Sequence, residues 1–195
     1  MTTRDKILDA ALTLFAKNGY NGTSVEQIAE IVGIKAPSLY KHFKGKEDIL
    51  NALINATEAR YEEFFGSEKK FGTIPDSYEA FLRLSLEKLS FTINDPVIRK
   101  VRVFLVQEQF RNERLAEITS RHQLDDVMKM FTKIIDGMIK SGLLRKNDSE
   151  LLALELTAPV TVLVSKVDRQ PEFKNAAMNL IEKHVCHFFD TYKSV

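Results

Sequence analysis

Cysteine is nearly missing from this 195-residue chain: Cys186 stands alone. No internal disulfide can form, and a reducing compartment is the natural setting. No run of about 18 apolar residues is present to span a membrane, and the N-terminus lacks the apolar region of a signal peptide. A cytoplasmic protein that makes no use of a membrane is therefore expected. An excess of either charge is missing too, because 28 basic and 27 acidic side chains leave a net charge of +1. That balance argues against both a disordered chain and a polybasic nucleic-acid coat protein. The Gly-x-Ser-x-Gly elbow, the phosphate-binding loop ending in Gly-Lys-Ser/Thr and the Gly-x-Gly-x-x-Gly turn do not occur. No stretch alternates apolar and polar residues as a strand does, and no internal repeat is visible. These absences leave an all-α chain with no expected enzyme activity and no expected cofactor.

What is present is helical periodicity. A 44% hydrophobic share is enough for a packed core. Ile7, Leu8, Ala11, Leu12, Leu14 and Phe15 form one stripe of a helix over 3–18, which Gly19 ends. A long helix is expected from near Gly45 to Phe65, with Glu47 and Asp48 suiting the dipole of its first turn. Residues 66–75 read as a loop. Further helices are expected over 76–92, from Asn94-Asp95-Pro96 to Gln109, over 113–140 as one element, over 148–167 with a bend at Pro159, and over 172–192. The total is about nine helices.

The most specific stretch is Thr23 to Lys46, TSVEQIAEIVGIKAPSLYKHFKGK. Ser24 with Gln27 three residues later has the spacing of a capping box. Val25, Ile28, Ala29 and Val32 repeat at helical spacing, and Gly33 follows where a helix needs a left-handed residue. Pro37 suits the first turn of a second helix over 36–43, which buries Leu39 and Phe43. The outer face of that helix carries Lys35, Ala36, Pro37, Ser38, Tyr40, Lys41 and His42. No acid occurs from Lys35 to Lys46, while four lysines do. A short basic helix with an aromatic and small residues outside suits the major groove of DNA.

Residues 4 to 50 resemble the DNA-binding domain of the tetracycline-repressor (TetR) family of bacterial transcription regulators. The matching residues are Ile7, Ala10, Phe15, Gly19, Tyr20, Thr23, Ile28, Ala29, Gly33, Leu39, Tyr40, His42, Phe43, Lys46 and Leu50. The resemblance implies a helix-turn-helix domain over 1–48 and a helical ligand-binding and dimerisation domain over 49–195. Thr23, Ser24, Tyr40, His42 and Lys46 are expected to hold phosphates. Lys35, Ala36, Pro37, Ser38 and Lys41 are expected to meet the bases. The stretch 35–38 is this chain's own version of a variable region, so no operator sequence carries over.

The last two helices are apolar nearly all round, which means burial on several sides. They form either the centre of one subunit or a contact with a second copy, and the resemblance implies a two-fold dimer through a four-helix bundle. The residues expected there are Leu152, Leu156, Leu163, Phe173, Ala177, Leu180, His184 and Phe188. A symmetric dimer would read a palindromic operator. Phe81, Phe104, Phe110, Met128 and Phe131 are expected to line an apolar chamber for a small-molecule effector, with Arg102, Gln107 and His122 orienting it. For any one of them core packing is the alternative. His184 and His187 at i and i+3 are read as surface or dimer residues rather than a metal site. The rival to a ligand-released repressor is an architectural or partner-binding DNA protein of the same fold with no effector.

Overall fold

The computed structural model of the chain describes residues 1–65 and 74–194. Its elements in order are α1 (Thr3–Asn18), α2 (Val25–Val32), α3 (Ala36–Leu39), α4 (Lys46–Phe65), α5 (Tyr78–Asn94), α6 (Pro96–Glu108) and α7 (Glu113–Ser120). A π turn (Arg121–Asp125), α8 (Asp126–Lys140), α9 (Ser149–Arg169), a 3-10 turn (Pro171–Phe173) and α10 (Lys174–Tyr192) complete it. Among the described residues the only extended pairing is one isolated antiparallel bridge, Leu144 with Lys193. The protein is all-α, as its periodicity implies. The expected loop over 66–75 lies, apart from Ile74 and Pro75, outside the described residues.

Two compact units divide the chain: Met1–Ser67 with Pro96–Thr119, and Glu68–Asp95 with Ser120–Val195. The first unit is larger than the 1–48 head expected from the sequence. The reason is its core, where Ile7, Phe15, Ile28 and Leu39 share one apolar cluster with Ile49 and Leu50 of α4, Val101 and Phe104 of α6, and Leu115 of α7. Three short helices bury too little surface to stand alone. The Phe15 ring stacks at 5.4 Å on Phe104 and lies 5.4 Å from Tyr20. Surface links follow the same seams. Lys100 Nζ donates to Thr13 Oγ1 at 2.9 Å, and an Arg114 guanidinium N–H donates to Asn51 Oδ1 at 2.5 Å.

The second unit is built on α5, α8, α9 and α10. Phe81 is fully buried and its ring centroid lies 6.4 Å from those of Phe188 and Phe189. Tyr78 donates its hydroxyl to Cys186 Sγ at 2.8 Å. That bond, with burial adding to it, pushes the Tyr78 phenol up to about 12. The helix α9 runs unbroken through Pro159. His184 Nε2 hydrogen-bonds the Leu156 carbonyl oxygen at 3.0 Å, three residues before the proline. Gly142, at φ 78, ends α8 in the left-handed region.

One element differs in kind from expectation. The single helix read over 113–140 is two helices separated by the π turn. A π turn takes in one extra residue and so rotates the following stripe. Leu124, expected inside, is 49% exposed. Past the turn the apolar stripe resumes and buries Met130, Phe131, Ile134, Ile135 and Met138.

Phe15→Ala tests the shared core of the first unit. It should cost about 3–5 kcal/mol, the range for deleting a buried phenylalanine ring. Urea unfolding followed by circular dichroism would measure it, and a loss below about 1 kcal/mol would contradict this packing.

Candidate nucleic-acid interface

The site is the α2–α3 pair and the turns at either end of it. Ser24 is extended at φ −111 and ψ 160, and its Oγ accepts the Gln27 amide at 3.2 Å. In return Gln27 Oε1 accepts the Ser24 amide at 2.8 Å, so the capping box read from the sequence is present. At the other end Gly33 is left-handed at φ 76 and ψ 30, and the Ile34 amide bonds the Ala29 carbonyl at 3.0 Å. This is the 6→1 bond of a Schellman motif. The chain leaves it through Lys35, extended at φ −77 and ψ 145, and enters α3 with Pro37 in the first turn.

Helix α3 has four residues, where the sequence suggests eight. No side chain caps its start. Beyond Leu39 the amides of Lys41 and His42 bond three residues back, at 3.3 and 2.8 Å. The chain therefore tightens into 3-10-type turns up to Phe43. Leu39 and Phe43 still face the core, at 0% and 3% exposure. Lys35, Pro37, Tyr40, Lys41 and His42 are exposed, and Ala36 and Ser38 are half-buried. Of the seven residues expected on the outer face, five are thus exposed, while Ala36 packs partly against the core cluster. Arg4 adds a cation that the motif did not flag, its guanidinium 4.8 Å above the Phe43 ring. It stands outside the motif in the sequence, and only folding brings it there.

Two residues expected to hold phosphates sit differently. Thr23 is 2% exposed and its hydroxyl donates to the Gly19 carbonyl at 2.9 Å. Its side chain is spent on the turn and is too deep to reach a phosphate. Lys46 Nζ donates to the carbonyls of Tyr20 at 2.7 Å and Thr23 at 2.8 Å, and lies 4.3 Å from the Tyr20 ring centroid. Two of the three ammonium protons are engaged within the fold, which leaves one for an outside acceptor. Burial, with Glu47 adding to it, raises the Tyr20 phenol above its ordinary value, so the ring beside Lys46 is neutral near pH 7.

The residues expected around a ligand are distributed over both units. Phe81, His122, Met128 and Phe131 belong to the second unit, and Arg102, Phe104, Gln107 and Phe110 to the first. Gln107 is exposed, and Phe110 is 91% exposed in the turn after α6 has ended. Neither lines an interior. Phe104 is spent on Phe15, and Arg102 is 8% exposed. In the second unit Phe81 and Phe131 are buried, while Met128 is half-buried and its Sδ accepts the Thr157 hydroxyl at 3.5 Å. Ser85, legible on the stripe of α5 but not counted among the ligand residues, is 2% exposed with no hydrogen-bond partner for its hydroxyl among the described residues. Its place on the buried stripe of α5, four residues after Phe81, was the available signal.

The expected dimer residues also divide. Leu152, Leu156, Ala177 and Phe188 are buried inside their own unit, at 0–2% exposure, and have no surface to offer a second copy. Leu163, Phe173 and His184 are half-buried. Leu180 is 47% exposed, and with it stand Leu151, Leu154 and Val162, at 57%, 44% and 66%. The apolar residues left outside are neighbours of those expected, one helical face round. With apolar residues on nearly every side, periodicity could not tell inner from outer.

Comparison with known proteins gives this geometry a setting. Residues 7–53 match the family model described as bacterial regulatory proteins, tetR family. The HTH-type transcriptional regulator QacR of Staphylococcus aureus is 36% identical over 87 residues, which is 44% of this chain. The match spans about half of that protein, 46% of its length. Among solved structures, MexZ of Pseudomonas aeruginosa, described as a key repressor responsible for antibiotic resistance, superposes with a TM-score of 0.76 at 18% identity. That likeness covers 98% of this chain and 95% of the other. SmeT, the repressor of a Stenotrophomonas maltophilia multidrug efflux pump, in its complex with triclosan has a TM-score of 0.74 at 20% identity, over 100% and 93% of the two chains. At these identities the two structures establish the fold.

Ser24→Ala removes the cap that starts α2 and should destabilise the chain by about 1 kcal/mol. Thermal unfolding would show it as a lower midpoint, and an unchanged midpoint would mean that the box contributes nothing.

Proposed function

We propose that the chain, whose residues 7–53 match the family model of bacterial regulatory proteins, tetR family, is a DNA-binding repressor of transcription, acting in the cytoplasm as a homodimer. The observation that carries this reading is the face of α3. Lys35, Tyr40, Lys41 and His42 are exposed together, Lys44 and Arg4 stand at its edges, and no acid interrupts residues 35–46. Base edges are met by Lys35, Ala36, Pro37, Ser38 and Lys41. Phosphates are met by Tyr40, His42, the start of α2 at Ser24 and the remaining ammonium proton of Lys46. Thr23 serves the turn alone.

One such head makes few base contacts, and specific recognition calls for two. The second copy is met through the exposed stripe Leu151, Leu154 and Val162 of α9, with Leu180 of α10. A two-fold axis gives a palindromic operator. The effector is a small, largely apolar molecule held in the second unit. Phe81, Met128 and Phe131 supply apolar surface there, and the unpartnered Ser85 hydroxyl supplies a point for one polar group. SmeT, solved with triclosan, is a fold neighbour that holds a small organic molecule. Effector binding releases the operator by favouring the conformer that cannot bind it, with couplings on the order of 1–3 kcal/mol.

Selection of duplexes from a random-sequence pool by the purified protein tests the reading. A palindromic site is expected, and Lys41→Ala should weaken it by about 1–3 kcal/mol while relaxing one position of the consensus. Failure to enrich any duplex would remove the proposal. Sedimentation at micromolar concentration should give a dimer, and Val162→Asp should give a monomer with its helical content intact. A wild-type monomer would remove the α9–α10 contact.

A further inference from the structure

Glu108, the last residue of α6, is only 3% exposed. A carboxyl group this deep requires hydrogen-bond partners. Its Oε1 accepts the backbone N–H of Tyr20 at 3.1 Å. That donor is available for a geometric reason. Gly19 ends α1 at φ 75 and ψ 170. Such a ψ lies far from the left-handed helical value, so the chain swings away from α1 and the Tyr20 amide cannot bond back to an α1 carbonyl. Glu108 takes the place of that carbonyl. The approach is close, since a Cβ on Gly19 would lie 2.6 Å from Glu108 Oε1. Glycine is needed there for its φ, and a Cβ would displace the Glu108 carboxyl from its place beside the Tyr20 amide.

Phe104 lies one helical turn before Glu108 on the same face of α6. It stacks on Phe15 near the end of α1, so α6 grips that end at two points. Arg111 stands 3.9 Å from the same carboxyl oxygen but is 71% exposed, a weak partner beside the buried amide. On its carbonyl side Tyr20 accepts from Lys46 Nζ at 2.7 Å. Tyr20 is therefore held at both its N–H and its C=O, by side chains from α6 and α4. Four residues later comes Ser24, the cap of α2.

We propose that Glu108 is a positioning residue for DNA recognition: by holding the Tyr20 amide it sets where α2 begins, and so how α2 and α3 meet the duplex. This rests on the DNA-binding reading above. The bond is sensitive to the placement of α6. A shift of one residue's rise, about 1.5 Å, takes a 3.1 Å contact out of hydrogen-bonding range. Glu108 touches no base or phosphate itself. It acts through the turn.

The test compares wild type, Glu108→Gln, which keeps an acceptor, and Glu108→Leu, which fills the space without one. The probes are a duplex enriched by the wild type from a random-sequence pool and an unrelated duplex of equal length. Glu108→Leu should lose affinity for the enriched duplex on the order of tenfold, a typical coupling between sites. Its affinity for the unrelated duplex should fall much less, because sequence-independent binding draws on positive surface charge, which Glu108→Leu does not reduce, rather than on the exact register of α2 and α3. Glu108→Gln should stay close to wild type on both. Equal affinity of Glu108→Leu and wild type for the enriched duplex overturns the inference, as does an equal loss in Glu108→Gln. Amide exchange of the wild-type protein by NMR gives a readout that needs no variant. The Tyr20 amide should be protected, and exchange as fast as that of an exposed loop overturns the inference even if Glu108→Leu does not fold. Failure of the wild type to enrich any duplex overturns both readings, whereas enrichment with an unaffected Glu108→Leu overturns this one alone.

Discussion

A helix of four residues has no stability of its own. Its first turn fixes several backbone angles for a single hydrogen bond, and α3 ends before propagation can repay that cost. What holds Ala36–Leu39 in place is burial of Leu39 and Phe43 in a cluster supplied by α1, α2, α4, α6 and α7. The exposed face of Lys35, Pro37, Tyr40, Lys41 and His42 exists as the outer side of that burial. Recognition and stability are thus one problem in the first unit. Anything that loosens the core under α3 moves the residues that face outward.

Polar groups finish what the apolar core begins. The turn from Gly19 to Ser24 has no regular structure, so its backbone groups must find other partners. The Thr23 hydroxyl takes the Gly19 carbonyl, Lys46 takes the carbonyls of Tyr20 and Thr23, and Glu108 takes the Tyr20 amide. Charge on this protein is accordingly a local matter. A net charge of +1 conceals an acid-free stretch over 35–46 on one surface and single charged groups set into the turn beneath it. Lys46 belongs to both. Its sequence neighbours suggest a surface lysine, and its partners make it largely a structural one.

Much of the fold was legible because its signals are local. Ser24 with Gln27, Gly33, Pro37 and the apolar repeats of α1 act on residues within a turn or two of themselves. Helix bounds at Thr3–Asn18 and Pro96–Glu108 follow from such signals. The π turn did not announce itself, because a helical stripe with one residue too many looks like a continuous helix until the chain is wound. Two residues of the expected ligand set show a related difficulty. Phe104 and Phe110 read alike as apolar residues of a helical region. Only winding shows that one stacks on Phe15 and the other lies past the end of α6, in solvent.

By itself the sequence determined the helical class, the capped pair of helices with its basic outer face, and the resemblance that the family match bears out. These rest on periodicity and capping, which depend on near neighbours along the chain. Tertiary structure alone decided that Thr23 turns inward, that Lys46 and Glu108 meet at Tyr20, and that Leu151 and Val162 rather than Leu152 and Leu156 stay outside. Glu108 lies 88 residues from Tyr20. A bond over that separation follows from how α6 packs on α1, and no local pattern carries that information.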